Sequence, residues 1–141
     1  MSRGEHGYVT LWVLGVAMMV IFVGGISLDL WRVAATRRAV ASAVDGAAIA
    51  GASGLDEAAF RASAGEEVRL DPGLAEELAV ANLQAQPDSA ELVEVAIEPA
   101  PERITVRAAR PVELTLLRIF LAGEPPVVVR ASSTVDARRS P

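Results

Sequence analysis

The stretch Tyr8–Leu28, YVTLWVLGVAMMVIFVGGISL, decides the architecture of this chain, because none of its 21 residues is charged. As an α-helix it would extend about 32 Å, whereas the hydrocarbon core of a bilayer is roughly 30 Å thick. Tyr8 and Trp12 lie near one end and Trp31 lies just past the other. Aromatic rings favour both membrane interfaces. The stretch therefore predicts a membrane-spanning helix near the N-terminus.

A cleaved signal peptide is the main alternative, since Gly25-Ile26-Ser27 places small residues at a spacing that suits cleavage near Ser27. The apolar region of a signal peptide, however, usually has about 7–15 residues and follows a basic segment. Here the apolar run is longer, and Glu5 soon follows Arg3. A core helix is also disfavoured, because a domain of about 100 residues has little interior to surround such a run. We expect a retained anchor.

The flanking charges predict where the span ends, and they bear on its orientation. Asp29 would cost about 2.5–3.5 kcal/mol at the bilayer centre, so it predicts the boundary of the span. Arg32, Arg37 and Arg38 follow the span, whereas Arg3 precedes it. By the positive-inside rule alone, the C-terminal side would stay in the cytoplasm.

The composition disfavours enzymatic chemistry. Cysteine and lysine are absent, and His6 is the single histidine, so thiolate metal sites, thiol nucleophiles and Schiff bases are excluded. The serines Ser53, Ser63, Ser132 and Ser133 have no histidine base in the domain. Adjacent carboxylates such as Glu76-Glu77 would diverge by about 100° on a helix. We therefore predict no enzyme activity, no cofactor, no metal site and no small-molecule substrate.

The charge distribution disfavours nucleic acid as a partner. Between Asp56 and Glu102, twelve acidic residues stand against Arg61 and Arg69, a local balance of −10. Such a surface would repel phosphate backbones and anionic lipid surfaces. The acidic run predicts a solvated helical surface, with a docking face for a basic partner as the alternative.

Alanine dominates residues 32–51, which predicts that the membrane helix continues to about residue 51. Small residues recur there at every fourth position and form a small-residue stripe, which consists of Ala35, Ala39, Ala43, Ala47 and Gly51. Such a stripe lets another helix approach closely. It is a candidate helix-packing interface, and the sequence leaves open whether the chain's own domain or another subunit packs there.

Two short amphipathic helices are predicted next. Asp56 can cap the first, and Leu55 and Phe60 have the spacing of a hydrophobic staple. Asp71 can cap the second, with Pro72 in the first helical position. The face of the second helix that we expect to be buried comprises Leu74, Leu78, Ala81 and Ala85.

Two segments, Glu91–Glu98 and Arg103–Ala109, alternate with period two and predict a β-hairpin around Pro99-Ala100-Pro101-Glu102. Pairing apolar residues on one face and opposite charges on the other selects a single register. Its predicted partners are Val95 with Val106, Ile97 with Ile104, Glu98 with Arg103, and Glu94 with Arg107.

The remaining segments complete an α+β fold with a small antiparallel sheet of about three strands. Residues 113–122 predict a short helix that packs in the core, with contact to the lipid interface as the lesser alternative, and residues 127–136 predict a strand. The predicted organisation is a tail at 1–7, a transmembrane helix at 8–30, an alanine-rich stalk helix at 31–53, an α+β domain at 55–136 and a disordered tail at 137–141.

The N-terminal third of the chain resembles TadE/TadG-like proteins of Flp-type (tight-adherence) pilus assembly. The matching pieces are Arg3-Gly4 before the apolar run, Asp29 at its end, Arg37-Arg38 on the emerging helix, and Asp45-Gly46-Ala47-Ala48-Ile49-Ala50-Gly51. The last of these is similar to the D-A-A-A-L-A-G ending of that family. The resemblance covers residues 3–51, and further along LLRIFLAG followed by VVVRASSTV is similar to the end of these proteins.

The resemblance implies a pilin-like subunit with its helix in the bacterial cytoplasmic (inner) membrane, its N-terminus inside and its domain outside. Its implied partners are the membrane and other pilus-assembly or pilin-like subunits, in a homo- or hetero-oligomer. Gly4 is the candidate processing site. Five positions after it stands Val9, where type IV-like prepilins carry a glutamate, so the chain departs from the pattern of a main fibre subunit. We expect a minor subunit or assembly factor; an envelope-anchored binding module or a secreted domain remains the alternative.

Overall fold

A computed structural model describes residues 3–115, 117–120 and 125–137, with the side chains of residues 8–115, 117, 118 and 125–137. It shows a long N-terminal helix, short helices and a three-stranded antiparallel sheet, so the predicted α+β class is confirmed. The helices are α1 (Arg3–Ala52), α2 (Glu57–Ala62), α3 (Pro72–Gln84) and α4 (Leu117–Phe120), with a 3₁₀ turn at Ser89–Glu91. The strands are β1 (Val93–Pro99), β2 (Arg103–Val112) and β3 (Val127–Asp136). We call residues 53–137 the head.

Helix α1 runs without a break from the apolar stretch into the alanine-rich stretch and ends at Ala52, one residue beyond the predicted end. It already begins at Arg3, so the predicted tail at 1–7 is helical from that residue onward. The first residues after the helix close its C-terminal end: the Ser53 N–H donates to the carbonyl of Ala50, and the Gly54 N–H donates to that of Gly51.

Both predicted helix caps are present. The Asp56 carboxylate accepts hydrogen bonds from the N–H groups of Ala58 and Ala59, and Asp71 does the same for Gly73 and Leu74. Each aspartate thereby satisfies backbone donors that have no partner inside the helix.

The buried face of α3 differs from the predicted one. Ala75, Ala79 and Leu83 are buried, whereas Leu74 is 41% exposed. The predicted residues Ala81 and Ala85 are also exposed, and Leu78 is only half-buried. The helix turns Ala75 and Ala79 towards Gly51 of α1, where the two backbones approach closely, and it buries Leu83 on the same face.

Strand β2 is central in the sheet, with β1 and β3 antiparallel on either side. The predicted hairpin exists, but its register is two residues away: Ile97 faces Val106, and Pro99 faces Ile104. The turn is tighter than we expected, because Ala100 and Arg103 exchange both backbone hydrogen bonds around Pro101-Glu102. Proline suits the first central position of such a turn, since its φ is fixed.

A β-bulge between Val93 and Ala96 is a second difference between the observed and the predicted strand pairing. Glu94 lies in this bulge with a φ of 53°, and Val95 is 48% exposed instead of facing Val106. Outside the bulge, the two-residue shift in register keeps side chains on their predicted faces, because faces alternate with period two. Ile104 and Val106 are therefore both fully buried.

The core lies between the C-terminal half of α1 and the head. Val40, Ala43, Val44, Ala47 and Ala48 of α1 are buried together with residues of α3 and β2. Helix α1 contacts α3, β2 and β3. The predicted stalk helix at 31–53 and the predicted domain at 55–136 thus contribute buried residues to one shared core cluster.

Candidate membrane anchor and its junction with the head

The N-terminal half of α1 projects from the head with its apolar side chains uncovered. Within the described chain, α1 is the one helix that is long and apolar enough to cross a membrane, and none of its most apolar window is buried. Leu11, Met18 and Ile21 are each more than 70% exposed. A β-carbon added at Gly15 or Gly24 would meet nothing within 4 Å. A core helix would be covered, so the exposure of this half of α1 is that of a helix compatible with a membrane span.

The serine hydroxyl in this half is satisfied within the helix. The Ser27 hydroxyl donates to the carbonyl oxygen of Val23 at 2.8 Å, one turn earlier. This is the bond that allows a serine to lie in a hydrocarbon environment, where no water can replace it.

Asp29 joins the anchor to the head. Its carboxylate accepts hydrogen bonds from the N–H groups of Thr115 at 3.0 Å and Leu117 at 2.9 Å. The residue is 1% exposed. Burial of a carboxylate is costly without donors, and the two backbone N–H groups reduce that cost. One turn further along α1, Arg32 Nη1 donates to Thr115 Oγ1 at 2.7 Å.

From the sequence, Asp29 is predicted only to mark the end of the membrane span, and its contact with the head is not predicted. Its partners are more than 80 residues away along the chain, and no local pattern announces such a contact. The segment at 113–122 was predicted as a helix, and its described part is helical at Leu117–Phe120. The predicted end of this helix, at residue 122, lies outside the described residues.

The structure places the predicted small-residue stripe in two different environments. Ala43, Ala47 and Gly51 are buried within the chain itself, Ala35 is half-buried, and Ala39 is exposed. Gly51 shows how closely the head approaches: an added β-carbon would lie 2.9 Å from the carbonyl oxygen of Ala75 and would also overlap Ile104. Of the two occupants that the sequence left open, the chain's own head covers the C-terminal part of the stripe. Gly4, the candidate processing site, lies in the first turn of α1.

Arginines from β2 and β3 form ion pairs with carboxylates of residues 56–102 and so neutralise part of the negative charge of this segment. Arg110 contacts both Asp88 and Glu91, and Arg107 contacts Glu98 at 2.6 Å. Burial by itself would lower the pKa of Arg110, but its hydrogen bonds to Asp88 and Glu91 raise that pKa overall. The predicted pairs of Glu98 with Arg103 and of Glu94 with Arg107 are therefore wrong, because the shifted register and the bulge bring other arginines into reach.

Glu94 forms a two-point ion pair with Arg130 across the sheet. The guanidinium donates from Nε to Oε2 at 2.8 Å and from Nη2 to Oε1 at 3.1 Å. These hydrogen bonds lower the pKa of Glu94 and raise that of Arg130. The pair ties β1 to β3 over the middle strand, next to the bulge that carries Glu94.

The described residues contain no group of three or more histidine, cysteine, aspartate or glutamate side chains that could hold a metal ion. What the geometry offers is an uncovered apolar half-helix, a carboxylate that fastens it to the head, and a small head with a charged outer sheet face. Comparison with protein families, with curated proteins and with solved structures gives no significant match for this chain.

Proposed function

We propose that this chain is a single-pass membrane-anchored, pilin-like protein of the TadE/TadG type. In this proposal it acts as a minor subunit or assembly factor of a Flp-type pilus or a related secretion apparatus. The observation that carries the proposal is the division of α1 at Asp29. One half of the helix leaves its apolar side chains uncovered, and the other half forms the core of a small α+β head.

The division of α1 supports a subunit that is held in a bilayer and presents its head to neighbouring proteins. Residues 8–28 match the thickness of a hydrocarbon core, and the head begins to cover the helix at Asp29. The resemblance of residues 3–51 to TadE/TadG-like proteins supplies the specific assignment to pilus assembly. Val9, five positions after Gly4, favours a minor subunit or assembly factor over the main fibre subunit.

The proposed location is the bacterial cytoplasmic membrane, with the N-terminus inside and the head outside. Arg32, Arg37 and Arg38 oppose this orientation under the positive-inside rule, so orientation needs a direct test. The absence of cysteine makes that test simple. Single cysteines at Ser2, Ser89 and Ser140, treated with an impermeant thiol reagent on intact cells, should react at Ser89 and Ser140 only. Labelling at Ser2 alone would reverse the orientation.

The proposed partners are other anchored subunits, and the structure narrows the surfaces that remain for them. Ala43, Ala47 and Gly51 are already covered by the head. Along α1, helix-packing contacts with another subunit are left to the uncovered residues 8–28 and to the accessible end of the small-residue stripe, at Ala35 and Ala39. A partner helix in the membrane could pack along this side by shape alone, without a polar contact.

The decisive experiment is deletion of the gene in the bacterium that encodes it, followed by electron microscopy of the cell surface. We expect the deletion strain to lose its thin surface fibres, or to fail in the related secretion process. The full chain should restore them. A Met18→Arg variant, which impairs insertion, should not, whereas a Met18→Leu control should.

Two other outcomes would assign the chain differently. Normal fibres and secretion in the deletion strain, with the protein still resistant to extraction by alkaline carbonate, would favour an envelope-anchored binding module. Recovery of the protein from the medium with Leu28 as its first residue would establish a secreted domain released by cleavage after Ser27.

A further inference from the structure

We propose that the end of the head that carries Leu114, Thr115, Leu117 and Pro126 is a second membrane contact, which lies in the headgroup layer beside the exit of α1 from the bilayer. The partner is the lipid surface itself. This inference rests on the proposed anchoring of α1, and it adds a contact between the head and the membrane that the anchor does not require.

The positions of Asp29 and Arg32 along α1 give their depth in the bilayer. If residues 8–28 fill the hydrocarbon core, Asp29 begins the next layer, and Arg32 lies about 4.5 Å further out at 1.5 Å per residue. The headgroup layer adds roughly 5–7 Å on each side of the hydrocarbon core. Asp29 and Arg32 therefore both lie within that layer.

Hydrogen bonds hold Thr115 and Leu117 at the depth of Asp29 and Arg32. The Asp29 carboxylate holds the N–H groups of Thr115 and Leu117, and Arg32 holds the hydroxyl of Thr115. A backbone N–H group that is 3 Å from Asp29 cannot lie far from the depth of Asp29. Whatever depth the bilayer gives to Asp29, the N–H groups of Thr115 and Leu117 share it.

The exposed side chains of this end of the head suit a lipid interface. Pro125, Pro126 and Val127 are exposed, and Leu114 and Leu117 are half-buried. Val127 is paired with Val112 at the same end of the sheet, and Arg118 lines a cleft of about 290 Å³ beside them. Arg118 is exposed, and a long arginine side chain can keep its guanidinium among phosphates while its stem covers apolar surface.

The opposite end of the head has a different surface. Residues 53–69 lie beyond the C-terminal end of α1, and their exposed side chains include Glu57, Glu66 and Glu67. Ser53 is 24 positions after Asp29, which corresponds to about 36 Å along the helix axis. The far end thus exposes three acidic side chains together with Leu55 and Phe60, whereas the near end exposes Pro125, Pro126 and Val127 together with Glu113 and Arg118.

Fluorescent probes on single cysteines test this inference with the full chain in vesicles of phosphatidylcholine and phosphatidylglycerol. An environment-sensitive probe at Leu117→Cys should lose most of its fluorescence to lipids that carry a spin label near the headgroup. A second probe at Pro126→Cys, on the same end of the head, should also be quenched. A probe at Ser53→Cys is the matched control and should not be quenched.

A probe at Leu14→Cys distinguishes this inference from the proposed function. If Leu14 is quenched by a spin label deep in the acyl chains while Leu117 and Pro126 behave like Ser53, the second contact is wrong and the anchor stands. If Leu14 is not quenched either, the anchor and the second contact both fail. Quenching at Leu14, Leu117 and Pro126, but not at Ser53, supports both.

Discussion

The two halves of α1 are both apolar, yet they differ in the size of their side chains. The projecting half carries bulky residues such as Trp12 and Met18, which are 65% and 71% exposed. The packed half buries smaller ones, with Ala47 and Ala48 at 0% exposure and Val44 at 1%. Lipid chains adapt to side chains of any shape, whereas a neighbouring helix or sheet must interlock with fixed shapes at crystal-like density. Side-chain size along α1 thus distinguishes what each half packs against.

A charge in the packed half should have the largest effect. Val44 is 1% exposed, so Val44→Asp would bury a carboxylate without a partner and lower the free energy of unfolding of the head by about 4 kcal/mol or more. Hydrogen exchange of the β2 amides in micelles measures this loss. Ile49→Asp is the matched control, because Ile49 lies on the same helix and is 64% exposed. Equal loss of protection in both variants would contradict the assigned core.

A charge in the projecting half should impair insertion and leave the head intact. Met18 is at the middle of residues 8–28, where an arginine costs about 2.5–3.5 kcal/mol in the membrane. The apparent free energy of insertion of Met18→Arg, measured against Met18→Leu, should rise by that amount. Hydrogen exchange of the β2 amides should be unchanged. Destabilisation of the head in Met18→Arg would show that the two halves are not independent.

Adding one methyl group should destabilise the head in the packed half of α1 and have no effect in the projecting half. In Gly51→Ala the new β-carbon meets the carbonyl oxygen of Ala75 at 2.9 Å and overlaps Ile104. Overpacking of this kind costs about 1–3 kcal/mol of unfolding free energy. Gly24→Ala is the control, because nothing lies within 4 Å of its added carbon. Thermal unfolding of the head should shift for Gly51→Ala alone; an unchanged midpoint would mean that α1 and α3 pack less closely than the structure shows.

The smallest effect is expected on the outer sheet face, where charges are solvated and ion pairs contribute little. Hydrogen bonds from Arg130 hold the pKa of Glu94 below 4.5. The stabilisation from this pair is therefore present above about pH 4.5 and is lost as the pH falls through the lowered pKa of Glu94. A carboxyl NMR titration should show the lowered pKa, and Arg130→Gln should return it towards 4.5. An unchanged pKa in that variant would assign the shift to another cause.

Local patterns predicted much of the architecture. The length and apolarity of residues 8–28 predicted a helix suited to a bilayer, and Asp56 and Asp71 predicted the starts of two helices. Residues 127–136 predicted β3 with the bounds that the structure shows. These features follow from interactions between residues within a few positions of one another, so a short window of sequence contains the necessary information.

Tertiary contacts decided the rest. The tight turn at Pro101-Glu102 and the bulge at Glu94 moved the hairpin register. Packing against α1 selected the face of α3 that carries Ala75, Ala79 and Leu83 over the predicted face. Only the folded chain brought Thr115 and Leu117 to Asp29 and covered Ala47 and Gly51. Each of these outcomes depends on the shape and the donors of a segment that is distant in sequence. Composition and spacing therefore specified which elements form, and close packing specified which of their faces and polar groups meet.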